Sequence, residues 1–484
     1  MKTFLKDISI EKSKGQFYTP DFIVSNILNM SGYYGSKILK KHVIDNSCGD
    51  GAFLTEIVSR YCTSAQKEGI ENHEIAYQLG FFIHGIEIDF AECEKCKKNV
   101  DAIASHFGIY NVNWDIRCGD TMLIHEYDGK MDFVLGNPPY IRVHNVGELI
   151  SKIKTFDFAQ SGMTDLYIVF YEIGLKMLND NGVLGYITPN SFFNSIAGEY
   201  MRKYVVQHNL IEKIIDMKHY QAFSATTYTT ITVLRKAKKN NIVSYYQFDE
   251  KNRIPYYVDD LTTEDFFIGN NFYFSSKKNL QILKKIFFNT FRSDIAVKNG
   301  FATLCDTVFI KDFDFRSQYI IPVIKASTGK KTQIIYPYDN KSKLIPESIL
   351  KNDSTLYNYL LESKKLLLKR SNENDKSSFW YAYGRSQAIN DTYKDKITIN
   401  TLVRNTSDLK LIDAPPGTGV YSGLYIVSNT VDKSVIRELL MTDDFILYVS
   451  LLGKYKSGGY YTFSSKEVKI YLDYAITSKG ETLK

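Results

Sequence analysis

Between residues 40 and 235, short apolar runs alternate with longer stretches in which apolar residues recur at helical spacing. The short runs predict seven strands, at residues 42–46, 82–87, 114–117, 132–136, 183–189, 211–216 and 229–235. Strands that alternate with helical segments of about 10–20 residues indicate an α/β fold, with a mostly parallel sheet and helices on both faces. Ligands of such sheets bind beyond the carboxyl ends of the strands, so the residues that end each strand are the first candidates for chemistry.

A polar, basic segment at residues 235–241 interrupts this pattern. Such a composition is typical of a connection between domains. We therefore predict an α/β domain over residues 1–238 and a second, mixed α+β domain over residues 239–484. The second domain has short, irregular apolar runs, and its clearest helical pattern covers residues 347–370.

Charge is divided unevenly along the 484 residues. Residues 1–235 contain 23 basic and 27 acidic side chains, whereas residues 236–484 contain 37 and 27. A basic second half predicts contact with a polyanion. The overall composition, with 44% hydrophobic residues, excludes a disordered chain.

The chain has neither a membrane-spanning nor a secretory pattern. No apolar run approaches the roughly 20 residues of a membrane span, and the charged N-terminal sequence is unlike a signal peptide. Six cysteines are too few for a disulfide scaffold in a chain of this length. Cys93 and Cys96 lack a second ligand pair, so we expect surface thiols and no metal site. We expect a cytoplasmic protein with no membrane partner.

The first three predicted strands end in residues suited to a nucleoside. After the first strand, Asp45 is followed by Gly49 and Gly51 at the start of a helix, where glycines permit a tight turn close to a ligand. The spacing DxxxGxG differs from the GxGxxG pattern that binds a pyrophosphate, which favours a nucleoside without a diphosphate. Glu87 ends the second strand and could accept from two ribose hydroxyls. Asp120 follows the third and could accept from the amine of adenine.

The fourth strand ends in Asn137-Pro138-Pro139-Tyr140. Two prolines remove two backbone donors, which leaves carbonyl oxygens and the Asn137 amide oxygen as acceptors beside an aromatic ring. A rigid group of acceptors next to a ring suits a planar substrate that carries an NH2 group.

With these motifs in this order, the chain resembles the gamma group of amino-methylating DNA methyltransferases, the N6-adenine enzymes of restriction–modification systems. The motif Gly15-Gln-Phe-Tyr-Thr-Pro20 precedes the others, as it does in that group. Residues 297–309, 378–385 and 456–463 look like parts of a Taq-like specificity domain. The resemblance implies a Rossmann-like, seven-stranded methyltransferase domain that uses S-adenosylmethionine, followed by a target-recognition domain.

The resemblance also implies residue roles. Asn137 and Pro138, supported by Pro139, would accept the two N6 hydrogens of a flipped adenine, while Tyr140 and Phe223 would stack on its faces. The residues that would hold S-adenosylmethionine, with Glu87 on the ribose and Ile88 against the adenine, are Tyr18, Thr19, Asp45, Ser47, Gly49, Gly51, Glu87, Ile88, Asp120, Thr121, Asn137 and Pro139. No metal is implied.

For the second domain, the resemblance implies contact with duplex DNA. The candidate DNA-binding side chains are Lys364, Lys365, Arg370, Arg385, Arg404, Lys454 and Lys456. We further expect a monomer near the bacterial nucleoid and a separate cognate restriction endonuclease.

Other functions stay open or are excluded by composition. An N4-cytosine DNA methyltransferase, or a methyltransferase acting on rRNA or on a protein glutamine, shares the same amine chemistry. A C5-cytosine enzyme needs a Pro-Cys pair, and none of the ten prolines precedes a cysteine. A non-enzymatic specificity protein would have lost cofactor residues that are all present here.

Overall fold

A computed structural model describes residues 19–141, 147–223, 227–370 and 379–482. Contacts between Cα atoms divide the chain into two compact units, Met1–Gln281 and Ile282–Lys484. The division comes later than the predicted boundary at residue 238, because two further strands continue the sheet of the first unit. The polar segment at residues 235–241 connects two strands of the same sheet and does not end the unit.

A nine-stranded sheet with the order β3-β2-β1-β4-β5-β7-β6-β8-β9 forms the centre of the first unit. All seven predicted strands are present, with ends shifted by a few residues. The strands are β1 (Val43–Asp45), β2 (Ile83–Glu87), β3 (Asp115–Cys118), β4 (Met131–Gly136), β5 (Leu178–Pro189), β6 (Ile211–Asp216), β7 (Thr229–Arg235), β8 (Val243–Asp249) and β9 (Ile254–Leu261).

Strand directions follow the predicted α/β pattern. Strands β1 to β5 are parallel, β7 runs antiparallel between β5 and β6, and β9 is antiparallel to β8. Both faces of the sheet are covered, since the neighbouring residues Val43 and Ile44 of β1 point to opposite faces and are both fully buried. The predicted seven-stranded methyltransferase fold is confirmed, with β8 and β9 added at one edge.

Helices connect the strands of the first unit. Its α-helices are Asp21–Ser31, Ala52–Lys67, Asn72–Phe82, Phe90–His106, Gly147–Ile153, Leu166–Met177, Glu199–Gln207 and Thr263–Phe266, and the helix Lys277–Phe287 contains the division between the units. A two-stranded hairpin of β10 (Phe267–Ile268) and β11 (Asn271–Phe272) follows β9. The helix Asp21–Ser31 is amphipathic and buries Ile23, Val24, Ile27 and Leu28 in the main core.

Small sheets and short helices make up the second unit, as expected for a mixed α+β domain. Its sheets have the orders β12-β19-β15-β17, β14-β13-β18 and β16-β21-β20. The strands are β12 (Ala296–Asn299), β13 (Ile320–Lys325), β14 (Lys331–Ile335), β15 (Lys396–Ile399), β16 (Leu402–Val403), β17 (Ile412–Ala414), β18 (Gly419–Tyr421), β19 (Leu424–Val427), β20 (Tyr455–Lys456) and β21 (Tyr460–Thr462).

The prediction of one long helix over residues 347–370 is wrong. The structure has three short helices there, Glu347–Leu350, Ser354–Glu362 and Lys364–Leu368. Asp353 causes the first break, because its side chain accepts from the Leu356 N–H and caps a new helix. The other α-helices of this unit are Asp306–Phe309, Lys433–Leu440, Asp443–Leu451 and Ser465–Thr482.

Candidate active site

Three turns meet at the carboxyl edge of the central sheet. Strand β1 lies between β2 and β4, and all three are parallel. Their carboxyl ends therefore lie side by side, with residues 46–51 following β1, residues 88–89 following β2 and residues 137–140 following β4. This is the edge at which a doubly wound sheet binds its ligand.

The turn after β1 depends on its two glycines. Gly49 has φ = 54° and Gly51 has φ = 96°, both in the left-handed region that favours glycine. A Cβ atom on Gly51 would lie 2.8 Å from the Cys96 Sγ. Cys96 and Cys93 are fully buried in the main core, so the expectation of surface thiols is wrong. Their positions on the helix Phe90–His106 make them packing residues, with Cys96 directly beneath the turn.

Glu87, at the end of β2, is oriented by backbone groups from two turns. Its carboxylate accepts from the Gly49 N–H and from the Asp89 N–H, each at 2.9 Å. The next residue, Ile88, is 69% exposed. An oriented carboxylate beside an open apolar side chain fits the ribose and adenine of a nucleoside cofactor.

Asp45 is a buried carboxyl at the end of β1. It is 1% exposed and accepts from the Ser47 N–H at 3.1 Å. A Cβ atom on Gly136 of β4 would lie 2.6 Å from the Asp45 Oδ1, so that glycine leaves the space that the carboxyl occupies. Burial raises the pKa of Asp45 to about 8, and the nearby Glu87 charge adds to the increase.

The turn after β3 contributes Asp120 and Thr121. Asp120 accepts from the Met122 N–H at 3.1 Å, and the Lys152 Nζ lies 3.4 Å from its other oxygen. The Thr121 hydroxyl donates to the Asn46 carbonyl at 2.7 Å. This hydrogen bond joins the turns after β1 and β3.

Asn46 is a supporting residue that sequence reasoning missed. It is fully buried, and its Oδ1 accepts from the Tyr186 hydroxyl of β5 at 2.8 Å. Since its own carbonyl accepts from Thr121, Asn46 connects three strand ends around the cofactor turn.

The Asn137-Pro138-Pro139-Tyr140 turn contacts the turn after β1 directly. The Ser47 hydroxyl donates to the Asn137 backbone carbonyl at 3.3 Å. The Asn137 Nδ2 donates to the Thr19 hydroxyl at 3.1 Å. Three residues predicted from separate motifs, Thr19, Ser47 and Asn137, therefore lie within one hydrogen-bonded group. Pro138 is buried, whereas Asn137 and Pro139 are half-buried.

The rings of Tyr140 and Phe223 pack edge to face. Their ring centroids are 5.9 Å apart and their planes are inclined by 77°. The Tyr140 hydroxyl donates to the Ile187 carbonyl at 3.0 Å, and burial raises the pKa of Tyr140 well above its ordinary value.

Three of the seven candidate DNA-binding residues are held by ion pairs or backbone carbonyls within the second unit. The Arg370 guanidinium donates to the carbonyls of Thr303, Leu367, Trp380 and Ala382 at 2.6–2.9 Å. Arg404 pairs with Asp408 and lies over the Tyr460 ring, and Lys454 pairs with Glu467. Arg370 thus connects segments of its own domain, which explains its position better than a contact with DNA does.

Accessibility does not separate the remaining four candidates from these three, because Arg404 is exposed and Lys364 is half-buried. Lys365, Arg385 and Lys456 are exposed, while the Lys364 Nζ lies 4.9 Å from the centre of the Trp380 ring. Tyr18, predicted to contact the cofactor, lies outside the described residues. In the part of the chain that the structure describes, no cluster of His, Cys, Asp or Glu is suited to a metal ion, and no helix is long and apolar enough to span a membrane.

Comparison with known proteins confirms the resemblance as far as a DNA methyltransferase of restriction–modification systems. Residues 59–223, which include β4 and its turn, match the Eco57I restriction-modification methylase family. This part of the chain is therefore similar to restriction-modification methylases. S-adenosylmethionine is the cofactor of this kind of domain, and the acidic strand ends and glycine turn described above suit it.

Relatives of the methylase domain extend over much of the chain. The Type II methyltransferase M.BstVI of Geobacillus stearothermophilus is 25% identical, with 88% of this chain and 84% of that protein covered. RM.Eco57I of Escherichia coli, a Type II restriction enzyme and methyltransferase, is 22% identical, and the chain spans 53% of its length. The Type IIL restriction-modification enzyme MmeI, solved in complex with DNA, matches 91% of this chain and 63% of its own, with 12% identity and a TM-score of 0.63.

Proposed function

We propose that this protein transfers a methyl group from S-adenosylmethionine to N6 of an adenine that has been rotated out of a specific duplex DNA sequence, as the modification enzyme of a Type II restriction–modification system. One observation carries the proposal. The Ser47 hydroxyl of the cofactor turn is hydrogen-bonded to the backbone of Asn137. The turn that would hold the methyl donor and the turn that would hold the amine are therefore in contact.

The Asn137-Pro138-Pro139-Tyr140 turn would activate the amine. The lone pair of the adenine amine is delocalised into the ring, so the amine is a poor nucleophile. The Asn137 amide oxygen and the Pro138 carbonyl would accept its two hydrogens and favour a lone pair directed at the methyl group. Fixed acceptors of this kind stabilise charge that develops in the transition state without further reorganisation. The prolines keep the turn rigid, since each fixes its own φ angle.

Tyr140 and Phe223 would hold the extruded base. Removing a base from the duplex costs a few kcal/mol, and stacking on an aromatic side chain contributes about 1–3 kcal/mol per base. The edge-to-face arrangement of the two rings would change as the base enters. During this change, the hydrogen bond from the Tyr140 hydroxyl to the Ile187 carbonyl would keep the Tyr140 ring next to β5.

S-adenosylmethionine supplies an activated methyl group on a sulfonium, so transfer depends on alignment more than on a strong base. Glu87, already oriented by two backbone N–H groups, would accept from the ribose hydroxyls. Asp120 would accept from the adenine amine, and Ile88 would cover the adenine ring. Asp45 would lie near the positively charged end of the cofactor.

The second unit would bind and read the DNA. Its sequence is basic, with 30 basic and 21 acidic side chains over residues 282–484, and a basic surface attracts the phosphate backbone. Of the candidates, Lys364, Lys365, Arg385 and Lys456 are the ones that we keep for this role. A cognate endonuclease on a separate chain would complete the restriction system.

Sequencing of modified DNA tests the proposal. DNA from a methylase-free host is incubated with the protein and S-adenosylmethionine, and modified bases are then located by single-molecule sequencing. We expect N6-methyladenine at one short recurring sequence. Modification of cytosine would favour the N4-cytosine alternative, and unmodified DNA together with methylated rRNA or protein would overturn the assignment to DNA.

A further inference from the structure

We infer that Thr19 is a positioning residue whose hydroxyl orients the Asn137 amide, in place of the cofactor contact that its motif suggests. The inference rests on the proposed function and assigns one more residue to the same reaction. Thr19 is 7% exposed, and its hydroxyl accepts from the Asn137 Nδ2 at 3.1 Å. The two residues are 118 positions apart in sequence, so folding creates the contact.

An amide side chain presents different chemistry in its two orientations. With the Asn137 Nδ2 bound to Thr19, the Oδ1 lies on the other side of the amide as an acceptor. A half-turn of the amide would place NH2 where the proposed mechanism needs an oxygen. Two NH2 groups would then face each other, both as donors, and the amine could not be held. In the structure the Thr19 hydroxyl accepts from Nδ2, so this contact holds the amide in the orientation whose Oδ1 accepts.

Thr19 directly precedes the cap of a helix that other side chains hold in place. The next residue, Pro20, caps the helix Asp21–Ser31, and its carbonyl accepts from the Ile23 and Val24 N–H groups. Arg60 holds this helix, because its guanidinium donates to the Ser25 hydroxyl at 2.8 Å and to the Asn29 Oδ1 at 2.8 Å. An anchor on a packed helix limits the movement of the group that it orients.

The experiment compares Thr19→Val, which replaces the hydroxyl by a methyl group, with Thr19→Ser, which keeps the hydroxyl. Single-turnover methyl transfer is measured at saturating S-adenosylmethionine on the mapped target duplex, and cofactor affinity is measured by calorimetry. Losing one hydrogen bond that sets the amide orientation should slow transfer by about three- to tenfold. We expect Thr19→Ser to retain most of the rate, with cofactor affinity within twofold of wild type for both variants.

A second readout separates orientation from general damage. Duplexes with adenine, or with purine lacking the amine, at the target position are compared for binding. Wild type should prefer adenine, because its acceptors contact the amine, and Thr19→Val should lose most of that preference. The matched control is Thr230→Val, since Thr230 is also buried and its hydroxyl donates to the Ile215 carbonyl on β6.

Each alternative outcome is distinct. A weaker cofactor affinity in Thr19→Val, with an unchanged transfer rate at saturation, would show that Thr19 serves the cofactor alone and would overturn the inference. An equal loss in Thr19→Val and Thr230→Val would overturn it as well. If Thr19→Val does not fold, Thr19→Ala is compared with Thr19→Ser in the same assays. Wild-type protein that methylates no DNA would refute the proposed function itself.

Discussion

The two units hold their polar side chains in different ways. At the carboxyl edge of the first sheet, the predicted site residues are oriented toward one place by neighbouring turns, as when Glu87 accepts from the Gly49 N–H. In the second unit, Arg370, Arg404 and Lys454 are engaged by groups of their own domain. A motif at a strand end therefore predicts a position in space, whereas a basic residue in an irregular domain does not.

The largest effect should come from the first region. We expect Asn137→Ala to reduce methyl transfer by at least about a hundredfold, the scale seen when one preorganised transition-state contact is removed. Cofactor affinity should stay close to wild type, because Glu87, Asp45 and Asp120 are untouched. Steady-state kinetics and calorimetry with S-adenosylmethionine check the two halves of this prediction. Retained turnover would remove Asn137 from the mechanism.

In the second region, Arg370→Ala should act on stability instead. Four carbonyls would lose a hydrogen bond to the guanidinium, which should lower the free energy of unfolding by about 2–4 kcal/mol. Chemical denaturation measures this change. Lys365→Ala is the control, because Lys365 is exposed on a helix nearby and its removal should leave stability within about 0.5 kcal/mol of wild type. If the free energy of unfolding of Arg370→Ala equals that of wild type, Arg370 does not have this structural role.

Cofactor binding in the first region should depend on pH because of the Asp45 carboxyl. Its pKa of about 8 means that the carboxyl is protonated at neutral pH and ionises above that value. Because the ionised form attracts the positively charged cofactor, affinity for S-adenosylmethionine should rise with pH up to about 8, by at most about tenfold per pH unit, and then level off. Calorimetry between pH 6 and about 9 follows this rise, which Asp45→Asn should abolish.

The same ionisation predicts the pH dependence of folding in the cofactor-free protein. The pKa of Asp45 is higher in the folded protein than its ordinary value of 3.8. The folded state therefore binds more protons between about pH 4 and 8, so the Asp45 contribution to stability should fall as pH rises through that window. Denaturation midpoints of wild type and Asp45→Asn should diverge there. Parallel curves would show that Asp45 is already ionised.

The smallest effect is expected for single DNA contacts. Lys456→Ala should weaken DNA binding by a few fold and reduce the salt dependence of the affinity by about one phosphate contact. Fluorescence anisotropy at several salt concentrations measures both. Lys454, which is paired with Glu467, serves for comparison, and we expect Lys454→Ala to change the salt dependence less. The reverse order would mean that the ion pair opens toward DNA.

The first region was largely predictable because its signals are local. Buried strands followed by glycine, acidic or proline turns specify both the fold and the edge at which the site forms, and parallel strands bring those turns together. Asn46 could not be assigned, since its partner Tyr186 is 140 residues away and no local pattern connects them. The burial of Cys96 was missed because the surrounding charged sequence marks only the outer face of its helix.

The second region was less predictable for a physical reason. A helical periodicity over residues 347–370 was read as one helix, but Asp353 offers the backbone a cap and ends it. Whether a charged side chain points into solvent depends on which carbonyls of irregular segments lie within its reach, as those of Thr303 and Trp380 show around Arg370. Such carbonyls follow no periodic pattern in the sequence.

The central claim is that the Asn137 turn and the cofactor turn form one site that methylates the adenine amine. Incubation of duplex DNA with the protein and S-adenosylmethionine carrying a deuterated methyl group, followed by digestion to nucleosides and mass spectrometry, tests it most directly. Our account predicts the heavy methyl group on N6 of deoxyadenosine with wild type and its loss with Asn137→Ala. Label on deoxycytidine, or equal label with both proteins, would contradict it.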